Sequence, residues 1–388
     1  MKYICSWFVV KFQLNTIEMA GTTAALPKAA VVSSHWTRQL LTNFPPTNMA
    51  LAYGSAVFRQ ANNESPDNML DVILVVDNPK TFHIENLKRN KSHYSLARYL
   101  GPRFIAKLTE MPAYVYYNTA VRIEDQLIKY GVISKDRLIS DLLDWDVLYV
   151  AGRMQKPVKY ITPVDAEVLK AQQINLNSAV HAALLTLPET FTLEDLFLRV
   201  TRLSYDGDFR MIFGEDRNKV DEEMISNIVK PAVGDFTKLY APVLQAMSTI
   251  EWTNGANKVQ QDLSEQARLH HLELLPKAVQ HQLMTKWRPG ENRHKDVEDI
   301  LKSIARNPAS LCAEVVQESV RAIVWSSALK QSIKGLVTSG PLKALSYSAS
   351  KISKMMMSIG IWPTKEPVKH IKPKMTQESK RRGTSQLP

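Results

Sequence analysis

The run Leu70–Val76 (Leu-Asp-Val-Ile-Leu-Val-Val) constrains the fold of this chain more than any other feature. It is almost continuously apolar and rich in β-branched residues. A polar loop with Asn62, Asn63, Glu64, Ser65 and Pro66 precedes it, and the turn Asp77-Asn78-Pro79 ends it. Such a run reads as a strand buried on both faces, which requires neighbouring strands and covering layers. The 388 residues leave room for two or three domains. An apolar content of 45% with 22% charged residues excludes a largely disordered chain. Cys5 and Cys312 cannot build a disulfide framework, and no Cys/His cluster suggests zinc. No stretch approaches the ~20 apolar residues of a membrane-spanning helix.

Around this strand the sequence suggests a helix at His35–Phe44, a short strand at Met49–Tyr53 and a basic helix within Glu85–Leu100, closed by Gly101-Pro102. Further strands are expected at Tyr114–Tyr117, Leu127–Val132 and Leu148–Ala151, with a helix at Asp136–Asp144. From Thr162 the spacing turns helical, at Ala166–Leu187, Thr192–Leu203, Glu222–Val229, Phe236–Met247, a polar Asn254–Arg293 and Ser310–Val324, punctuated by Pro188, Pro231 and Pro242. The expected class is α/β: a mixed-sheet domain at 31–160, a mainly helical domain at 161–320 for which a winged-helix form is one candidate, then a basic amphipathic C-terminus.

Charge is unevenly placed. Residues 321–388 hold 13 basic against two acidic residues, which accounts for the whole formal net charge of +11. Such asymmetry points to a polyanionic partner, nucleic acid or anionic membrane. Ile323, Leu329, Ile333, Leu336 and Val337 share a helical face, flanked by Lys330 and Lys334. After Pro341 the pattern resumes through Leu342, Leu345, Ile352, Met355, Met356, Ile359 and Trp362. A basic amphipathic helix with a terminal Trp suits an interfacial anchor, so 321–362 reads as a membrane-association segment and 363–388 as a disordered basic tail. Residues 1–30, poor in acid, are compatible with an organelle-targeting segment.

The chemistry-bearing pattern is strand, Gly54-Ser55, loop, then Asp71 entering the buried strand. It resembles the nucleotidyltransferase superfamily with its polymerase-β-like fold, in which a Gly-Ser turn cradles the nucleotide's phosphates and a strand-borne carboxylate binds magnesium. Superfamily members usually carry two acids two residues apart; here Met69 and Ile73 flank Asp71 at that spacing. Asp67, Asp77 or an acid from the second domain would have to supply the other ligand.

A narrower resemblance rests on ordered blocks: Tyr53–Phe58, Met69-Leu70-Asp71, Phe82-His83, Asn86-Leu87, Asn90 with His93-Tyr94-Ser95, Gly101-Pro102, Tyr116–Thr119, Ile128–Ile133, Ala151-Gly152-Arg153, Gln155–Val158, Ser204-Tyr205, Gly207–Met211 and Gly214-Glu215-Asp216. Together they resemble the mitochondrial CDP-diacylglycerol synthases of the translocator assembly and maintenance family. The resemblance implies conversion of CTP and phosphatidate to CDP-diacylglycerol and pyrophosphate. It also implies Mg²⁺ as cofactor, a peripheral place on the matrix side of the anionic mitochondrial inner membrane, and supply of cardiolipin synthesis. Nucleic acid is not an expected partner.

The attacking group would be a phosphate monoester, mostly dianionic near neutral pH, so no general base is needed and the problem is charge repulsion. Asp71 is accordingly assigned to the metal, Gly54 and Ser55 to the CTP phosphates, and Lys129, Arg153 and Lys156 to the remaining charge. From the resemblance, Asp208 or Arg210 closes the site from the second domain, with Asp208 as a further metal and catalytic carboxylate and Arg210 as a CTP contact. Asn86, Asn90 and Tyr94 fall on one helical face, which reads either as solvated surface or as a substrate contact, and Tyr94 and Ser95 are assigned to CTP. The competing readings are an RNA-directed nucleotidyltransferase and a non-catalytic membrane assembly factor, the latter kept open by the missing second acid beside Asp71.

Overall fold

A computed structural model describes residues 40–58, 69–123, 126–208, 217–253, 255–287 and 294–339. The described residues belong to one compact unit. Its first layer is a five-stranded sheet in the order β3-β4-β2-β1-β5, formed by β1 (Met49–Tyr53), β2 (Leu70–Val76), β3 (Tyr116–Ile123), β4 (Gln126–Ser134) and β5 (Lys159–Tyr160). β2 pairs with β4 in parallel and the other pairs are antiparallel. β2 is thus the interior strand that its apolar run requires.

Alternation along the strands separates two faces. Ala50, Val72, Leu74, Tyr130 and Val132 pack into one core with Phe82 of α1 (Pro79–Arg89). Met49, Leu51, Ile73, Val75 and Ile133 point the other way, into a larger core shared with the helices that follow. These are α3 (Lys135–Asp144), α4 (Ala151–Met154), α5 (Ala166–Leu184), α6 (Leu193–Leu203), α7 (Arg217–Val229) and α8 (Val233–Ala246). α9 (Glu265–Glu273), α10 (Lys277–Trp287), α11 (Val297–Ala305) and α12 (Ala309–Ser339) complete the helical part, and α2 (Gly101–Glu110) lies beside α1. One apolar core therefore runs from the sheet through both parts of the chain.

Several local expectations are revised. Gly101-Pro102 opens α2 instead of closing a helix, because Pro at the first turn needs no N–H partner. The basic helix stops at Arg89, with Asn90 as its C-cap, and two 3₁₀ turns follow at Lys91–His93 and Leu96–Tyr99. Leu148–Ala151 is not a strand: it is a loop entering α4. A three-stranded antiparallel sheet of β6 (Thr190–Thr192), β7 (Ile250–Glu251) and β8 (Lys258–Gln261) interrupts the stretches read as helical. Arg321 does not begin a new segment but lies inside α12, where Ile323, Val324 and Ala328 are buried on the body of the protein. Residues 340–362, the segments 1–30 and 363–388, and Asp67, Arg210, Glu215 and Asp216 lie outside the described residues.

The loop between α3 and α4 is held by one carboxylate. Asp141 is fully buried and accepts from five consecutive backbone N–H groups: Val147 (3.2 Å) and Leu148 (2.7 Å) at Oδ1, Tyr149 (3.2 Å), Val150 (3.0 Å) and Ala151 (2.9 Å) at Oδ2. This offsets left-handed backbone at two non-glycine residues, Trp145 (φ 54°) and Leu148 (φ 49°). A second tight junction lies at Gly207, where φ is 92° and a Cβ would stand 2.4 Å from the Arg321 carbonyl oxygen on α12.

Asp141→Asn would turn an amide N–H₂ against backbone donors, and we expect a loss of about 3 kcal/mol in urea unfolding; Asp136→Asn, exposed on the same helix, should cost less than about 1 kcal/mol. Gly255 has the same φ of 92° but open space around it. Gly255→Ala should therefore cost about 1 kcal/mol of backbone strain, and Gly207→Ala at least about 2 kcal/mol more from the added clash. Equal unfolding midpoints for the two alanine variants would contradict this packing.

Candidate active site

Strand register builds the site. Tyr53 on β1 stands opposite Asp71 on β2, and Asp71 stands opposite Lys129 on β4. The three share the face of the larger core but lie where that core ends, at the start of β2 and next to the turn after β1. Lys129 Nζ donates to Asp71 Oδ1 at 2.9 Å and sits over the Tyr117 ring at 4.6 Å. Burial disfavours the ammonium, but Tyr117 and Asp71 outweigh it and hold its pKa above the ordinary lysine value. Tyr117 fits because Gly131 behind it has no side chain: a Cβ there would come within 2.7 Å of the ring.

At Gly54 the chain turns with φ 84°, a conformation glycine adopts freely. Val57 and Phe58 donate back to its carbonyl, so one helical turn follows Ser55. A Cβ on Gly54 would sit 3.3 Å from Asp71 Oδ2, and its absence brings the turn against the carboxylate.

The loop fixed by Asp141 delivers the other cations. The Arg153 guanidinium lies over the Tyr149 ring at 3.9 Å and the Tyr53 ring at 5.6 Å, and it donates to the Tyr149 carbonyl. Lys156 donates to the Gly152 carbonyl and to Ser204 Oγ at 2.9 Å, from the end of α6. Burial, with Arg153 nearby, pulls the Lys156 pKa down to about 7. Burial also pushes the Tyr53 phenol up to about 12, and its hydroxyl lies 3.1 Å from that of Tyr117.

These groups line one cleft of about 310 Å³. Gly54, Ser55, Asp71, Lys129, Arg153 and Lys156 meet there with Asp208, the buried carboxylate at the end of the Tyr205–Gly207 turn. Ile228, Phe236, Val324 and Ala328 form an apolar wall contributed by α7, α8 and α12. A second cleft shares Lys129 and Tyr149 with the first and is lined further by Ser95, Asn118, Gln331 and Lys334.

Seven of the residues singled out in the sequence thus converge on the first cleft, and Ser95 lines the second. Tyr94 does neither and is corrected here. It is fully buried, with its hydroxyl accepting from Asn86 Nδ2 (2.8 Å) and meeting His83 Nδ1 (2.8 Å). The helical spacing that suggested a shared substrate face fails because α1 ends before Asn90. Sequence reasoning gave no role to Tyr53, Tyr117, Tyr149 and Ser204, which hold or stack on the cations. Their signal is the strand register and the loop geometry, and neither is a pattern along the chain.

Among the described residues no cluster of three or more His, Cys, Asp or Glu side chains is placed to hold a metal alone. Two carboxylates on one cleft beside a phosphate-sized Gly-Ser turn nevertheless fit Mg²⁺, which binds through one or two carboxylates and takes its remaining ligands from substrate phosphates and water. Asp71 and Asp208 are the residues that would hold it.

Comparison with known proteins places the chain in a family. The family model described as mitochondrial phosphatidate cytidylyltransferase matches residues 37–354. The chain is 44% identical over 325 residues to the mitochondrial phosphatidate cytidylyltransferase of Danio rerio, covering 82% of this chain and 94% of that protein. It is 44% identical over 329 residues to that of Xenopus laevis, covering 83% and 95%. A solved nucleotidyltransferase-like protein from Exiguobacterium sibiricum aligns over 77% of this chain and 76% of its own at 10% identity, with a TM-score of 0.22, too low to bear on the fold. On its match to the family model and to these relatives, the chain belongs to the mitochondrial phosphatidate cytidylyltransferase family.

Proposed function

We propose that the protein transfers the cytidylyl group of CTP to phosphatidate, giving CDP-diacylglycerol and pyrophosphate, in mitochondria. The observation that carries this reading is the row Tyr53–Asp71–Lys129 set against the Gly54-Ser55 turn, with Arg153 and Lys156 facing it across one cleft. The Gly-Ser turn would receive the triphosphate, and the apolar wall at Phe236 and Val324 offers a surface for the base. An oxygen of the phosphatidate phosphate attacks the α-phosphorus, a P–O–P bond forms, the bond to the β-phosphate breaks, and pyrophosphate leaves with the electron pair. Mg²⁺ held by Asp71 and Asp208 would neutralise charge on the phosphates. Lys129, Arg153 and Lys156 offset the repulsion between dianion and triphosphate and orient the reacting groups. The substrate is a bilayer lipid and residues 321–388 are strongly basic, which supports a peripheral place on the matrix side of the anionic inner membrane. No helix among the described residues is long and apolar enough to cross a membrane. The product would feed cardiolipin synthesis.

The test is turnover of labelled CTP with Mg²⁺ and phosphatidate in mixed micelles. Wild type should yield lipid-linked CMP, and Asp71→Asn should lower kcat by about 10²–10³-fold with native-like folding. Absence of product from folded wild type at every Mg²⁺ level would favour a non-catalytic assembly factor.

A pH profile tests the cation assignment separately. With its pKa near 7, Lys156 is an ammonium below that pH and a neutral amine above it. Since kcat/KM reports the free enzyme, its value for CTP should fall as pH rises through about 7. Lys156→Arg keeps the charge and should abolish that fall. An unchanged profile in the arginine variant would remove Lys156 from phosphate binding.

A further inference from the structure

Five large apolar side chains stand exposed among the described residues: Leu96, Tyr99, Leu100, Met111 and Ile333. They come from three places in the chain, yet the fold gathers them. The 3₁₀ turn Leu96–Tyr99 packs against both α2 and α12. Met111 follows α2 directly. Ile333 precedes Lys334, whose buried ammonium donates to the carbonyls of Leu108 (3.0 Å), Met111 (3.2 Å) and Val115 (2.9 Å). That lysine ties the end of α12, which carries Ile333, to the end of α2, which Met111 follows. The most exposed of the five, Tyr99 at 68%, projects from the tip of the turn.

The surrounding charge is mainly basic, and the acid beside Met111, Glu110, is paired with Arg137 at 2.9 Å. From Asn86 to Thr109 the chain carries Lys88, Arg89, Lys91, Arg98, Arg103 and Lys107 and no acid. Lys91, Arg103 and Lys107 are exposed. The mouth of the second cleft lies within the same surface, since Ser95, Gln331 and Lys334 line it. Its far wall is Lys129 and Tyr149, which it shares with the cleft of Asp71.

We infer that this patch is the face by which the protein docks on an anionic bilayer, with the mouth of the second cleft set against the lipid surface. Apolar side chains ringed by basic ones suit the headgroup boundary of such a membrane. Charge also decides against the other occupants. A two-fold contact with a second copy would lay this mainly basic surface on itself. The chain's own residues 340–388 hold ten basic residues against two acids, and they would meet like charge too. The inference rests on the reading of the protein as an enzyme acting on a bilayer lipid, because the second cleft then gives a lipid phosphate a route to Lys129 and the α-phosphorus.

The full-length chain can be tested with a polarity-sensitive fluorophore attached through Leu100→Cys in a Cys5→Ser background, Cys312 being buried. Vesicles of phosphatidylcholine containing phosphatidylglycerol should shift the emission to the blue and allow quenching by brominated lipid. Pure phosphatidylcholine vesicles, or high salt, should not. The same label at Glu298→Cys on α11 should stay silent. A label at position 100 that is silent on vesicle-bound protein overturns the inference, as does failure to bind anionic vesicles. Shielding without vesicles would assign the patch to the protein's own chain, and shielding that grows with protein concentration would assign it to a second copy; either overturns it.

Tyr99→Ser/Leu100→Ser should lower turnover of vesicle-embedded phosphatidate by about tenfold or more and leave turnover of a short-chain, water-soluble phosphatidate unchanged. Equal turnover of both substrates in variant and wild type also overturns the docking face. If wild type turns over neither substrate while the label still responds to anionic vesicles, the proposed activity falls and the docking face stands.

Discussion

Asp71 and Lys129 face each other across adjacent parallel strands, and the rest of the site depends on that register. Side chains alternate along a strand, so a slip of one residue between β2 and β4 would turn Lys129 into the opposite core and leave Asp71 without its partner. The slip is resisted by both faces at once. Val72 and Leu74 belong to one core, Ile73 and Val75 to the other, and neither set can be exchanged without burying a charge. The apolar run that makes β2 a doubly covered strand is thus also what aims its one carboxylate. Gly54 and Gly131 serve the same row: the first lets the turn approach Asp71, the second leaves room for the Tyr117 ring over which Lys129 sits.

The other half of the cleft is fixed by different physics. Arg153 and Lys156 stand on and just beyond a four-residue helix, too short to hold itself. It is anchored by Asp141 at one end, by the Tyr240 hydroxyl donating to the Gln155 carbonyl (2.8 Å) at the other, and by contact with α6, where a Cβ on Gly152 would fall 2.4 Å from Ser204 Cβ. Arg153 and Lys156 can therefore face Asp71 and Lys129 only when α3, α6 and α8 are also in place.

That division sets what could be read from the sequence. The strands β1 and β2 were legible because apolar patterning and turn residues are local signals, and so was Asp71 at the head of β2. Arg153 and Lys156 were found through their charge and their place after an expected strand end. The strand expected at Leu148–Ala151 failed because an apolar run of that length does not distinguish a strand from a loop whose N–H groups all go to one buried carboxylate. Tyr94 failed for a related reason. Its spacing from Asn86 fits a helix, but the helix stops at Arg89, and the two residues meet through a buried hydrogen bond instead. The tyrosines that hold the cations were given no role, although Tyr53 and Tyr117 fall in the family blocks, because each reaches the site through pairing or packing, and a single chain does not display its own contacts.

The partners of those cations carry a consequence for the chemistry. Among the described residues neither Arg153 nor Lys156 forms an ion pair. Their donors go to the carbonyls of Tyr149 and Gly152 and to the Ser204 hydroxyl, and aromatic rings lie under their charges. Neutral acceptors satisfy the hydrogen-bonding capacity of a buried cation without cancelling its field. Carboxylate partners would hold the same side chains in place but would leave the cleft neutral, and a triphosphate and a phosphate dianion would then meet with nothing to offset their repulsion. Lys129 differs, since its partner is Asp71 itself. A divalent cation held by that carboxylate would compete with the ammonium for it and would add positive charge beside the phosphates that Lys129 faces.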